Sequence, residues 1–461
     1  MARILALLVA ATCFLVPIGS PAGATPDHSR TAHHTRTPQH ARTPDHFRPR
    51  QGPTFNNPLS TTRARRAIFR KIIRSINSSP RGSVINVFTW NYLTREGTDA
   101  LLRAQKRGVR VRLLMDASNN LEIPNQPYRR LRAGLHRGNH GLKPARRSWA
   151  ATCDHSCRGG GGAAHAKYYM FSQVGNVPRV VMQGSANLTL ASTNNQWNDV
   201  ITHVRSKPVW NFFDKIFTQA SADRRARVPY QWQSFDGFNL MMFPLARAKD
   251  PVLNLLDKVS CRGATNTASH RTVLRIAPDV IRQERGMKLA IKVRRLWNQG
   301  CDVKIGYTVM GIDAGRMLRS SAGRGPVPMR HLVQDYNGDG EFDNYFHLKA
   351  MTVVGNVGGK RNNYVMLNGS ANWSNLAAAS DENLGIYYNK AWTLRYQDDL
   401  NYWLTHFPST SGTGSSADRR TTTRVPTPER LVFGAGRHAV FEDGTPYSRT
   451  GVDPYAHLAL D

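Results

Sequence analysis

Two histidines each stand two places ahead of a lysine: His165 and Lys167 in HAKYYMF, and His347 and Lys349 in HLKAMTV. Each pair is followed by a Gly-Ser-Ala-Asn run, in GSANLT from Gly184 and in GSANWS from Gly369. In an extended chain residues i and i+2 point to one side, so each set puts an imidazole and an ammonium on a shared face. The runs YYMF and AMTVV after the lysines predict strands, as do RVVMQ and YVMLN before the glycines. At Gly-Ser-Ala-Asn the chain is expected to turn sharply, with Ser or Asn capping a following helix whose free N–H groups favour an anion. A phosphodiester fits such groups. One histidine attacks, the other protonates the leaving oxygen, and the lysines with Asn187 and Asn372 hold the non-bridging oxygens as charge builds. One such set is easily incidental; two are much harder to dismiss.

The elements that must position these residues also come twice. Ile68, Ile72, Ile73 and Ile76 mark one face of a helix, 83–90 reads as a strand, 94–107 as a helix and 109–115 as a buried strand. Further on, 251–260 is helical, 272–278 a strand, 286–300 a helix, and CDVKIGYTV (301–309) matches GVRVRLLMD (108–116) in character. His347 lies 182 residues after His165 and Gly369 lies 185 after Gly184, the signature of an internal duplication. Alternating strands and helices place the chain in the α/β class.

Of the 461 residues, 40% are hydrophobic, ample for two fused half-cores. Residues 1–24 pair Arg3 with an apolar run too short for a membrane span and end on Ala22-Gly23-Ala24, so a secretory signal peptide and an extracellular protein are expected. Residues 25–52, rich in Pro, Thr, His and Arg, read as a disordered basic arm, and 408–461 as a linker and tail. The repeats are expected at 53–235 and 236–407. Beyond the signal, Cys153, Cys157, Cys261 and Cys301 form an even set, expected to pair as Cys153–Cys157 and Cys261–Cys301; zinc at CDHSC, with His155, is the rival. The net charge of +32 favours anionic partners, whether lipid headgroups, nucleic acid or wall polymers, and does not choose among them.

The doubled HxK…GSxN resembles the phospholipase D superfamily, over about residues 55–407. The resemblance implies two tandem α/β/α sandwich repeats packed as a pseudo-two-fold dimer, a phosphohistidine intermediate and no catalytic metal. It makes His165, Lys167 and Asn187 one half-site, His347, Lys349 and Asn372 the other, with Ser185 and Ser370 at the family's serine positions. Asp199 and Glu382 fall at its acidic position and are expected to hold the histidines' second nitrogens and fix their tautomers. By analogy with secreted bacterial phospholipases D, His165 is the nucleophile and His347 the acid; near-symmetry leaves the sequence itself silent on that choice. The fuller motif HxKxxxxD is broken, since Ser172 and Val354 replace its aspartates.

The function expected is that of a secreted, monomeric phospholipase D that hydrolyses, and transphosphatidylates, glycerophospholipids at a membrane surface. The alternatives are a nuclease or other phosphodiesterase of the superfamily and a non-catalytic binder of anionic surfaces. DYNGDGEFD offers Asp335, Asn337, Asp339 and Asp343 as oxygen ligands for a structural calcium, although position 12 is Phe346 and the loop is no complete EF-hand; an Asp/Gly turn is the alternative. Trp90, Tyr92, Trp197 and Trp373 are candidates either for lining an acyl or headgroup pocket or for the core.

Overall fold

The computed structural model describes residues 47–121, 125–334 and 342–408, with the backbone alone of 439–440 and 446–447. The signal segment 1–24, most of the arm, Asp335, Asn337, Asp339 and nearly all of the tail lie outside the described residues. Among the described residues no helix is long and apolar enough to cross a membrane.

Each repeat builds one sheet. The first comprises β1 (Gly52–Phe55), β2 (Val84–Phe88), β3 (Arg110–Asp116), β4 (Trp149–Cys153), β5 (Tyr168–Val174), β6 (Val177–Gly184) and β7 (Asp199–His203), in the order β1-β7-β6-β5-β2-β3-β4. The second comprises β8 (Gln231–Phe235), β9 (Phe238–Met242), β10 (Val273–Ala277), β11 (Asp302–Tyr307), β12 (Met329–His331), β13 (Ala350–Val357), β14 (Lys360–Gly369) and β15 (Asn383–Tyr387). Its order is β8-β9-β15-β14-β13-β10-β11-β12, with Val259–Ser260 paired to β13 off this path. Without the extra edge strand β8 the two orders are the same, and so are the senses: β2-β3-β4 and β10-β11-β12 are parallel, the other neighbours antiparallel. Gly108 (φ 90°) and Gly300 (φ 99°) make the matching turns from helix into β3 and β11, where a left-handed backbone favours glycine.

Three cores follow from the alternation of side chains along these strands. Helices α1 (Ala67–Asn77), α2 (Arg95–Lys106) and α3 (Gln126–Arg137) cover the outer face of the first sheet, burying Ile72, Leu101 and Leu131 with Tyr169 and Phe171. Helices α5 (Pro251–Asp257), α6 (Gln283–Asn298) and α7 (Ile312–Leu318) do the same for the second, over Val353 and Val365. The alternate residues of the strands, Tyr168, Met170, Met366 and Tyr387 among them, enter a core shared by both repeats, with α4 (Lys207–Ala220) and α8 (Lys390–His406). Each sheet thus has helices on both faces, as the α/β/α reading requires.

Two boundaries move. The last residues of the basic arm are ordered: β1 begins at Gly52, and Phe47 packs on the first core under the Arg74 guanidinium at 4.3 Å. The second sheet begins at Gln231 rather than after 235, because Asp236 and Gly237 turn β8 back onto β9 as a tight hairpin.

Both disulfides form as Cys153–Cys157 and Cys261–Cys301. Cys153, Cys157 and Asp223 are the one group with metal-ligand spacing among the described residues, but the two sulfurs are bonded to each other and offer no thiolate to zinc. Cys261–Cys301 closes a segment with a sequence separation of 40 and should contribute roughly 4 kcal/mol through the unfolded chain, more than the five-residue loop. Dithiothreitol should therefore lower the melting temperature of wild type more than that of a C261S/C301S variant, which keeps only the short Cys153–Cys157 loop; an equal effect on both would refute the assignment.

Candidate active site

His165 and Lys167 lie just before β5, and His347 and Lys349 just before β13, in extended segments outside the ladder rather than within strands as the sequence suggested. The reason is register. The Lys167 N–H donates at 2.7 Å to the Asn383 side-chain oxygen of the other repeat, so strand pairing starts only at Tyr168. Both histidines and both lysines are buried.

The histidines are held across the repeats. His165 Nδ1 meets Glu382 Oε1 at 2.8 Å, and His347 Nδ1 meets Asn198 Oδ1 at 2.7 Å. Ser370 donates to Glu382 Oε2, and Ser185 donates to Asn198 Oδ1 at 2.9 Å. Asn198 Nδ2 donates to the Ser192 carbonyl, so its oxygen faces His347 and accepts the hydrogen bond from Nδ1–H. Asp199 does not orient a histidine, contrary to the sequence expectation. Its carboxylate accepts from Tyr396, from Asn368 Nδ2 at 2.9 Å and from the Ser185 N–H at 3.2 Å. Pairing of Val200 with Gly184 and of Leu384 with Gly369 makes Asn198 the counterpart of Glu382, and Asp199 that of Asn383.

The Gly-Ser-Ala-Asn runs work differently from the helix caps expected of them. The segments after them are turns of four and five residues, Ala191–Asn194 and Asn375–Ala379; the first has no side-chain cap and the second is capped by Ser374. Gly184 and Gly369 are needed because a Cβ there would lie 2.2 Å from the Asp199 carbonyl oxygen and 2.1 Å from that of Asn383. Ser185 and Ser370 set the orienting residues. Asn187 Oδ1 accepts from Thr89 Oγ1 at 3.0 Å and the Asn91 N–H at 3.2 Å, leaving its amide N–H groups, buried and without a partner among the described residues, for a ligand. Arg285, which no motif flagged, donates to the Asn372 carbonyl and is anchored on Asp250 at 2.7 Å.

The lysines are set differently. Each Nζ donates to its own histidine's carbonyl, at 2.8 Å for Lys167 and 3.0 Å for Lys349. Lys167 also lies 6.0 Å from the Trp90 ring, whose edge meets His165 at 5.8 Å, whereas Lys349 forms an ion pair with Asp279 at 2.9 Å. Phe88 pairs with Tyr168 and Ala277 with Ala350, so Trp90 and Asp279 occupy the same place in the two repeats. Of the four aromatics, Trp90 sets its ring against a histidine–lysine pair; Tyr92, Trp197 and Trp373 lie in the cores, although the Trp197 carbonyl accepts from the His347 N–H at 3.0 Å, and Tyr345, not singled out, meets His347 edge-on at 5.8 Å.

The broken motif positions also have an account. Ser172 accepts the Val84 N–H at 2.8 Å, joining β5 to the first residue of β2, while Val354 is buried between Val273 and Tyr364. Neither touches a histidine–lysine pair in these contacts. Of the calcium candidates only Asp343 is described; its carbonyl accepts from Asn195 Nδ2 at 3.0 Å.

A family model described as "Cardiolipin synthase, PLD-like domain" matches residues 72–220, the part that carries the first HxK and GSAN. That match assigns a phospholipase D-like domain to residues 72–220. Among solved structures, polyphosphate kinase from Porphyromonas gingivalis is similar with a TM-score of 0.51 at 12% identity, over 76% of this chain and 50% of the kinase, so the chain spans half that protein's length. Phosphatidylserine synthase from Haemophilus influenzae aligns with a TM-score of 0.49 at 13% identity, over 77% of this chain and 86% of that one. The phospholipase D family member Nuc from Salmonella typhimurium aligns over 38% of this chain and 97% of its own, with a TM-score of 0.26 at 18% identity. No curated protein sequence matches the chain. Members of the phospholipase D superfamily act on phosphodiester bonds, in general without a catalytic metal.

Burial pushes the Glu382 carboxyl up to about 8, against the pull of Lys167, Ser370, Lys349 and Arg285. His165 presents a lone pair at Nε2 only when an ionised Glu382 accepts the hydrogen bond from Nδ1–H, so kcat/KM should rise with pH toward about 8. E382Q should lose that dependence and about 10²–10⁴-fold in kcat. Folded Glu382 holds a proton that the unfolded chain gives up near 4.5, so stability is lost as pH rises through about 8. The melting advantage of E382Q over wild type should accordingly grow between those values. A pH profile and a melting curve that E382Q leaves unchanged would remove Glu382 from the mechanism.

Proposed function

We propose that the protein is a secreted phospholipase D that cleaves glycerophospholipids, with His165 as nucleophile and His347 as general acid. The observation that carries the assignment is the unequal pair of orienting groups. A carboxylate behind His165 stabilises the positive charge that grows on the ring as Nε2 attacks phosphorus. A neutral amide behind His347 offers no such support, so that ring releases its proton more readily to the leaving oxygen. The P–N bond forms as the P–O bond to the headgroup breaks, and the alcohol leaves with the His347 proton. Water, or a second alcohol, then gives its proton back to His347, attacks phosphorus and frees His165. Lys167, Lys349 and the Asn187 amide hold the non-bridging oxygens.

A lipid substrate is supported by the rim. Leu121, at the end of the short helical turn after β3, is 75% exposed, and Ile312, the first residue of α7 beyond β11, is 36% exposed. Asn119 in that turn donates to the Trp90 carbonyl at 2.8 Å, and Gly311, just before α7, donates to the Ile281 carbonyl at 2.7 Å, two residues beyond Asp279. Apolar side chains flanking both half-sites, on a chain of net charge +32, suit contact with an anionic bilayer. Export rests on the opening segment, with its basic start, apolar run and Ala22-Gly23-Ala24.

A nuclease is the second reading, favoured by a cleft of about 890 Å³ lined by Arg129, Arg132, His136, Arg137 and Arg147. Phospholipid vesicles and plasmid DNA, each without added metal, separate the two. Headgroup release without nicking is expected, abolished in H165A while binding to anionic vesicles persists. Nicking without headgroup release would transfer the assignment to nucleic acid, and full turnover by H165A would end the histidine mechanism.

A further inference from the structure

Asp279 is the least expected group in the site. It stands where repeat 1 has Trp90, it is 5% exposed, and its backbone lies in the left-handed region at φ 64°. The conformation is imposed, since the Asp279 carbonyl accepts from the Thr308 N–H at 2.8 Å and the Val309 N–H at 3.1 Å. A non-glycine residue pays to adopt it, and such strain gathers at functional positions. Of the carboxylate oxygens, Oδ2 pairs with Lys349 at 2.9 Å, while Oδ1 is buried without a hydrogen-bond partner among the described residues. A buried carboxylate oxygen left unpaired costs stability, and holding a lysine takes only one of the two.

We propose that Asp279 Oδ1 recognises an ammonium group on the alcohol that leaves, making this carboxylate the specificity residue for the headgroup. The assignment rests on the phospholipase reading above. In that reading the headgroup oxygen departs toward His347, and Asp279 belongs to that half-site because its Lys349 partner donates to the His347 carbonyl. A primary ammonium two carbons beyond the ester oxygen supplies N–H donors for a charge-assisted bond. A glycerol headgroup brings hydroxyls without charge, and a trimethylammonium has no N–H to give. Repeat 1, with an indole in the same place, has no corresponding acceptor on the nucleophile's side.

The experiment compares wild type and D279N on mixed micelles of phosphatidylethanolamine, phosphatidylcholine or phosphatidylglycerol, reading kcat/KM from headgroup release. Wild type should prefer phosphatidylethanolamine, and D279N should lower its ratio to phosphatidylglycerol by about ten- to a hundred-fold. Loss in equal proportion on every headgroup would mean that Asp279 only holds Lys349, and would overturn the proposal with the phospholipase reading intact. No turnover of any lipid by wild type would overturn both. Should D279N fail to fold, inhibition of wild type decides: O-phosphoethanolamine should bind at least ten-fold more tightly than ethyl phosphate, and equal inhibition would overturn the assignment.

Discussion

Everything at the centre of this molecule depends on a pair of hydrogen bonds that cross between the repeats. Each repeat supplies a histidine, and the other repeat supplies the group that fixes that histidine's tautomer: Glu382 for His165, Asn198 for His347. In both cases the Nδ1 partner comes from the opposite repeat. The bonds survive because water is kept out of them by a shared core in which Tyr168, Met170, Met366 and Tyr387 meet. Gln183 and Asn368, the residues before the two Gly-Ser-Ala-Asn runs, bond directly to one another at 2.7 Å. Contact between equivalent residues is what a local two-fold relation produces.

Much of this was legible in the chain. The doubled His-x-Lys and Gly-Ser-Ala-Asn, with the repeated order of strands and helices, identify the α/β class and name the residues that line the site. Both cysteine pairs could be read from their number and spacing. Legibility ended where a partner had to be found across space. Asp199 was the natural choice for an orienting acid, being the acidic residue after the first run, yet its neighbour Asn198 does that work. A shift of one residue along a strand exchanges the two faces, and the register that decides between them is set by pairing with β6, which the local sequence does not state. Asp279 was missed for a related reason: its place opposite Trp90 becomes visible only once Phe88 and Ala277 are matched through their partners Tyr168 and Ala350.

The glycines tell the same story from the backbone. They read as turn residues, but at Gly184 and Gly369 the constraint is a carbonyl of the adjacent strand pressing against the Cα. That approach lets Ser185 and Ser370 reach the residues that face the histidines. Local conformational preference and tertiary crowding both select glycine, and the sequence alone does not separate them.

The unlike residues at matching places have a further meaning. In an assembly of two identical chains any substitution appears on both sides of the axis, so Glu382 could not face an amide counterpart, nor Asp279 an indole. Joining two copies in one polypeptide removes that coupling, and each half becomes free to evolve its own chemistry. Covalent linkage is thus what permits the two matching halves of the candidate site to differ.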